Sequence, residues 1–160
     1  MIKIDAKLMQ DVTSLAQQHP RKRMNHNFHE KAEDTIQRML NAMEPYSYVQ
    51  PHKHENPDKR EVFIVFTGKA LVVEFDDNGN ITEHTVLDPH NGIYGSEIKE
   101  KVYHCIISIE KGTVAYEVKD GPYVMATDKN FAPWAPKEGE PGCREYLVKL
   151  FEKLSIKIEE

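Results

Sequence analysis

Pro51-His52-Lys53-His54-Glu55-Asn56-Pro57-Asp58-Lys59-Arg60-Glu61-Val62-Phe63-Ile64-Val65-Phe66-Thr67-Gly68 is the stretch on which the reading of this chain turns. Alternate residues of a β-strand point to one face, so His52 and His54 written on a strand deliver two imidazoles into one space. Asn56-Pro57-Asp58-Lys59 reads as a turn, and Glu61 then heads the apolar run Val62 to Phe66, the next strand. A carboxylate at the head of that strand reaches the same point from the side. Two nitrogens and an oxygen suit a divalent ion such as zinc, iron, manganese or nickel. Paired structural histidines are the plainer alternative; a glutamate within reach of both argues for the ion.

Working outward, short strands alternate with turns as far as about residue 120, the pattern of an antiparallel sandwich or barrel. Glu61 to Thr67 and Lys69 to Phe75 flank a tight connection at Gly68, and Asp76-Asp77-Asn78-Gly79-Asn80 is a hairpin turn in which Asn-Gly supplies positive φ angles. Ile81 to Leu87, Ile93 to Ile98, Tyr103 to Ile109 and Thr113 to Val118 follow as strands. Upstream, Asp5 caps a helix carrying Leu8, Met9, Val12, Leu15 and Ala16 on one face, with Pro20 beyond its end. A second helix is expected from Glu33 to Glu44, with Ile36, Met39, Leu40 and Met43 buried and Pro45 stopping it. Downstream, Phe131-Ala132-Pro133-Trp134-Ala135-Pro136 is too proline-rich for regular structure and wraps the barrel, with Phe131 and Trp134 plugging its surface. Tyr146, Leu147, Leu150, Phe151 and Leu154 predict a final amphipathic helix. The organisation expected is one domain over residues 1–160: a helical arm (1–45), a β-barrel core (46–125), and a wrapping segment with the last helix (126–160).

At 160 residues the chain is long enough to bury a core without disulfides. Its formal charge of −5 argues against a nucleic-acid binder working by phosphate neutralisation. No apolar run is long enough to span a bilayer and Met1 to Asp5 lacks a signal-peptide core, so a cytoplasmic protein off the membrane is expected. Cys105 and Cys143 form neither a disulfide framework nor a C-x-x-C pair.

The polar run Arg21 to His29 reads either as a solvated loop or as an arm across the mouth of a pocket. On the second reading Arg21 and Arg23, with Asn25 beside them, hold phosphate or carboxylate on a substrate. A third imidazole for the ion comes from His84, His90 or His104. His104 is preferred, because its strand turns His104, Ile106 and Ser108 to one face and Cys105 to the other. His84 lies in a polar alternation typical of a solvent face, and His90 in a turn.

Pro-His-x-His, a glutamate, the glycine at Gly68 and a histidine on a later strand resemble the two metal-binding motifs of the cupin superfamily. The closer resemblance is to the WbuC-type cupin-fold metalloproteins. It takes in the arginine and Asn-x-x-x-His region at Arg21 to His29, Tyr48 to His54, Glu117 to Tyr123, and Phe131 to Gly139. The resemblance implies a mainly β, cupin-type antiparallel barrel or jelly roll with flanking helices at both ends, and a divalent metal at His52, His54, Glu61 and His104. Two departures matter: six residues separate His54 from Glu61, a longer gap than usual, and Lys99 and Lys101 stand at the proline and glycine positions before His104. They leave Glu97 or Glu100 as substitute oxygen ligands. The family's link to bacterial surface-polysaccharide genes implies a carbohydrate-like ligand, such as a sugar or sugar nucleotide. Isomerase or epimerase chemistry by Lewis acid catalysis is then expected, with His29 or Tyr48 as acid/base group. The alternatives are an iron-dependent dioxygenase and a metal-containing binding module without catalysis. Cupin-like sheets also pair edges, which implies a homodimer.

Overall fold

A computed structural model describes residues 1–158. Its elements run α1 (Ala6–Gln18), β1 (Arg23–Asn27), β2 (Ile36–Met43), β3 (His52–Lys53), β4 (Glu61–Thr67), β5 (Ala70–Phe75), β6 (Ile81–Leu87), a short 3-10 turn (Pro89–Asn91), β7 (Gly95–Ile98), β8 (Tyr103–Ser108), β9 (Thr113–Asp120), β10 (Asn130–Phe131) and α2 (Cys143–Leu154). The strands form two five-stranded antiparallel sheets, β1-β2-β9-β4-β7 and β10-β3-β8-β5-β6. Among the described residues no ladder joins the two sheets; an isolated bridge, Asp88 to Ile93, lies in the β6 to β7 connection. The barrel read from the sequence is thus an open jelly-roll sandwich with a helix outside each sheet.

Period-two alternation explains how three layers of core arise from these strands. Between the sheets Phe63 and Val65 of β4, Ala70 and Val72 of β5, Ile106 of β8 and Ala115 of β9 pack together. Their neighbours point outward. Leu71 and Val73 of β5 with Cys105 and Ile107 of β8 meet Leu147, Leu150 and Phe151 of α2. Burying each such side chain contributes about 1.5–3 kcal/mol, enough to dock a twelve-residue helix that has no side-chain cap at its start. On the other sheet, Leu40 and Ala42 of β2 and Val114 of β9 receive Val12 and Ala16 of α1, whose first turn is capped by Asp5 accepting from the Leu8 N–H at 3.0 Å.

The helix expected from Glu33 to Glu44 is a strand instead. Ile36, Met39, Leu40 and Met43 sit at helical spacing, yet β2 lies between α1 and the inter-sheet space, so Met39 and Met43 are buried on one face and Leu40 and Ala42 on the other. Burial on both faces erases the alternation that marks a strand. Within the polar run before it, Arg23–Asn27 form edge strand β1, paired antiparallel with β2, while Arg21, Lys22, Phe28 and His29 lie outside the strand. The segment called irregular also begins with a strand, since Phe131 of β10 pairs with His52 and is largely exposed. Trp134 does plug the outer surface, against Phe75 and Tyr103 at 5.1 and 5.8 Å between ring centroids.

Gly68, at the connection between β4 and β5, adopts φ +71°, and a Cβ there would lie 2.7 Å from the Thr113 Cα. Only glycine combines that backbone angle with so close an approach. Gly68→Ala is expected to cost about 1–3 kcal/mol, read as a lower urea midpoint with an unchanged slope.

Candidate metal centre

Three strands and one strand end bring the four residues together. His52 on β3 is paired directly with His104 on β8, and the chain leaves β3 through His54. Glu61 opens β4, opposite Lys119 of β9, and shares its inward face with Phe63 and Val65, which is why a carboxylate at the head of an apolar strand is buried. One donor atom from each of His52, His54, Glu61 and His104 falls within 4.8 Å of all the others, and all four residues are buried. Glu97 and Glu100 are exposed and outside this group, so neither replaces a member of it. His104 is the inward imidazole, with Cys105 turned away under α2, where burial pushes its thiol up to about 12.

The second nitrogen of each ring shows what the cluster is arranged to do. Nδ1 of His52 meets the Gln50 carbonyl at 3.0 Å, Nδ1 of His104 meets the Val102 carbonyl at 2.9 Å, and Nδ1 of His54 meets the Asp128 carbonyl. A carbonyl accepts only, so Nδ1 carries the proton in all three rings and each Nε2 presents a lone pair. The Nε2 atoms of His52 and His54 are buried without a hydrogen-bond partner. His54 Nε2 lies 3.3 Å from Glu61 Oε1, and His104 Nε2 lies 2.7 Å from Glu61 Oε2. Lone pairs facing a carboxylate at that range need a proton or a cation between them. Burial, reinforced by the charge of Lys129, holds the His52 imidazole well below its usual value and so neutral. Burial acts to raise the Glu61 carboxyl, but hydrogen bonding and positive charge on the Nε2 side of His104 and His54, where a proton or a cation sits between ring and carboxylate, outweigh it and hold it well below the usual carboxylate range. Neutral imidazoles oriented by backbone carbonyls, with one carboxylate, are the donor set of a divalent metal.

A cavity of about 480 Å³ reaches this cluster at His52 and Glu61. Of the residues expected to bind substrate, Arg21, Arg23 and Asn25 line it, as does His29. Arg23 is largely spent on the protein itself, donating to Glu138 Oε2 and to the Tyr48 carbonyl, each at 2.6 Å. Arg21, half exposed, lines the cavity while pairing with Glu138 at 3.6 Å, a longer contact than that of Arg23. His29 Nδ1 lies 3.1 Å from both the N–H and the carbonyl of Arg38, so the backbone of Arg38 satisfies that nitrogen in either tautomer. Tyr48 does not line the cavity: its ring packs in the core beneath α2 and its hydroxyl donates to the Pro136 carbonyl at 2.6 Å.

Other polar groups in the wall were not read from the sequence as site residues. Glu117 and Lys119 of β9 face inward beside Glu61, and Asn41 of β2 donates to Glu117. Burial and then the Glu61 charge push the Glu117 carboxyl up to about 8, against the pull of Lys119. Their shared parity in an otherwise apolar strand was the available signal.

Residues 4–87 match the family described as "Domain of unknown function (DUF6016)". No curated protein sequence matches the chain. Among solved structures, the capsular polysaccharide assembling protein CapF of Staphylococcus aureus is 19% identical, with 67% of this chain and 28% of that chain aligned at a TM-score of 0.56. The L-ribose isomerase of Cellulomonas parahominis, solved with L-psicose, is 13% identical over 71% of this chain and 70% of that one, at 0.54. KdgF from Halomonas sp. is 12% identical over 65% and 82%, at 0.50. The chain thus spans less than a third of CapF. At these identities the likeness establishes the cupin fold.

Proposed function

The chain belongs to the DUF6016 family, and on the strength of its site we propose that it is a metal-dependent cupin acting on a carbohydrate-like ligand, with isomerase or epimerase-like chemistry. The carrying observation is the set of buried Nε2 lone pairs converging on Glu61 at the floor of a polar cavity. His52, His54, Glu61 and His104 would hold the ion. When bound, it supplies Lewis acid polarisation of a carbonyl or hydroxyl oxygen. His29, with Nδ1 engaged by the Arg38 backbone, lines the cavity wall as the acid/base candidate. Glu117, neutral up to about pH 8, adds a hydrogen-bond donor rather than a charge. Arg21 holds an anionic end at the mouth. Tyr48, with its hydroxyl engaged beneath α2, is left out of the chemistry.

Surface-polysaccharide metabolism is favoured by the WbuC-type resemblance in Arg21 to His29 and Glu117 to Tyr123, and by the fold shared with a capsular polysaccharide assembling protein. The exposed Ile64, Phe66 and Tyr94 support the homodimer expected from the sequence. Among the described residues no helix is long and apolar enough to cross a membrane.

A second reading, a binding module with a saturated ion, is favoured by the number of protein donors, since a tetrahedral site closed by side chains leaves no position for substrate. Water proton relaxation of the Mn²⁺-loaded protein separates the two. Exchangeable water on the ion, displaced by a sugar phosphate such as ribose 5-phosphate, is expected for the catalytic reading; an ion without exchangeable water favours the module. Arg21→Ala is expected to weaken sugar phosphate binding several-fold while leaving neutral ribose unchanged and stability within about 0.5 kcal/mol. Equal weakening of both ligands would remove Arg21 from the anion subsite.

A further inference from the structure

Asp128 fastens the segment after β9 to the candidate metal centre. Its carboxylate accepts from two buried amines, Lys59 Nζ on Oδ1 and Lys119 Nζ on Oδ2, each at 2.7 Å. Lys59 Nζ also donates to the Pro122 carbonyl. Lys119 Nζ stands 3.9 Å from Glu61 Oε1, so the second positive charge is balanced by the cluster itself. All three side chains of the Lys59, Lys119 and Asp128 network are buried. The backbone carbonyl of the same Asp128 accepts the Nδ1–H of His54. The segment also walls the cavity through Tyr123, Asp128 and Lys129.

Buried ion pairs are expensive to desolvate, and apolar side chains of similar volume usually serve stability as well or better. A network of this kind is therefore better explained by what it places than by what it stabilises. Here it places a carbonyl. The partner that receives the second nitrogen of a ligating imidazole fixes its tautomer and aim, and such partners matter to affinity without touching the ion.

We propose that Asp128 is a positioning residue: Lys59 and Lys119 clasp its carboxylate so that its carbonyl holds His54 with Nε2 aimed at Glu61, which ties metal affinity to the docking of segment 121–131. The inference rests on the reading of His52, His54, Glu61 and His104 as a metal site. Linkage makes the effect reciprocal, so an ion at the cluster tightens the segment that walls the cavity.

The test uses the full chain, with Zn²⁺ affinity measured by competition with a chromophoric chelator. Lys59→Met keeps a one-to-one Lys119 to Asp128 pair and loosens the clasp; Asp128→Asn removes its charge. Both are expected to weaken Zn²⁺ binding by roughly 10–100-fold. Zn²⁺ should slow amide hydrogen exchange in 121–131 of the unmodified protein and do so less in Lys59→Met. Imidazole nitrogen NMR supplies a readout that general loosening does not move: His54 protonated at Nδ1 in the unmodified protein, and a mixture of tautomers in Lys59→Met. If Asp128→Asn does not fold, Lys59→Met decides alone. A Lys59→Met protein with Zn²⁺ affinity within about twofold of the original, or with lowered Tm and an unchanged His54 tautomer, overturns the clasp and leaves the metal site standing. Absence of Zn²⁺ binding by the unmodified protein overturns both.

Discussion

Protein carrying His52→Ala is expected to purify without divalent metal, whereas the unmodified chain carries about one ion per site. The His52 ring is buried, its Nδ1 is committed to the Gln50 carbonyl, and its Nε2 is an orphan among protein atoms. Removing a direct donor should exceed the roughly 10–100-fold loss that follows from disturbing an outer partner. The metal-free fold should survive, because the substitution also removes a buried nitrogen lacking a partner, whose desolvation costs about 1–3 kcal/mol. Elemental analysis beside circular dichroism checks both halves. Unchanged metal content in a folded His52→Ala protein would take away the basis of the proposed function.

Lys119→Met is expected to give the largest loss of stability. Its ammonium lies 2.7 Å from Asp128 and 3.9 Å from Glu61, with all three side chains buried. Those negative partners keep its charge favourable despite burial. Methionine fills most of the volume but strands the charge of Glu61, so the penalty is that of breaking a buried pair, about 3–5 kcal/mol. At about 2–4 °C per kcal/mol for a chain of this size, Tm should fall by on the order of 10 °C. Metal should recover part of the loss in calorimetry, since an ion neutralises the stranded carboxylate. A Tm shift below about 2 °C would mean that Glu61 is not charge-compensated by Lys119.

The candidate centre was legible because strand parity is a strict rule. His104 and Ile106 face in while Cys105 faces out, and Glu61 travels with Phe63 and Val65. Parity failed where the strand did not continue. Tyr48 shares the parity of His52, but β3 covers only His52–Lys53, and the chain before Pro51 takes the tyrosine under α2 instead. β2 was lost for another reason: with both faces buried, its pattern of apolar positions fits a helix equally well. Glu117 and Lys119 were visible as charges in an apolar strand, yet only the register that sets Lys119 beside Glu61 gives them a role. Asp128 lies in an irregular segment without periodicity, and no local signal announces that its carbonyl meets a histidine distant in the chain.

Glu61 belongs to one sheet, while His52 and His104 belong to the other, and no continuous ladder stitches those layers together among the described residues. Whatever bridges these side chains therefore acts as a rivet through the sandwich. Its occupancy then contributes to the rigidity of the whole jelly roll, by RT ln(1 + [M]/Kd), or about 2.7 kcal/mol when the free ion stands at a hundred times Kd. The same chain would be a looser body in a metal-starved cell than in a replete one, and its lifetime against proteases would follow the supply of the ion.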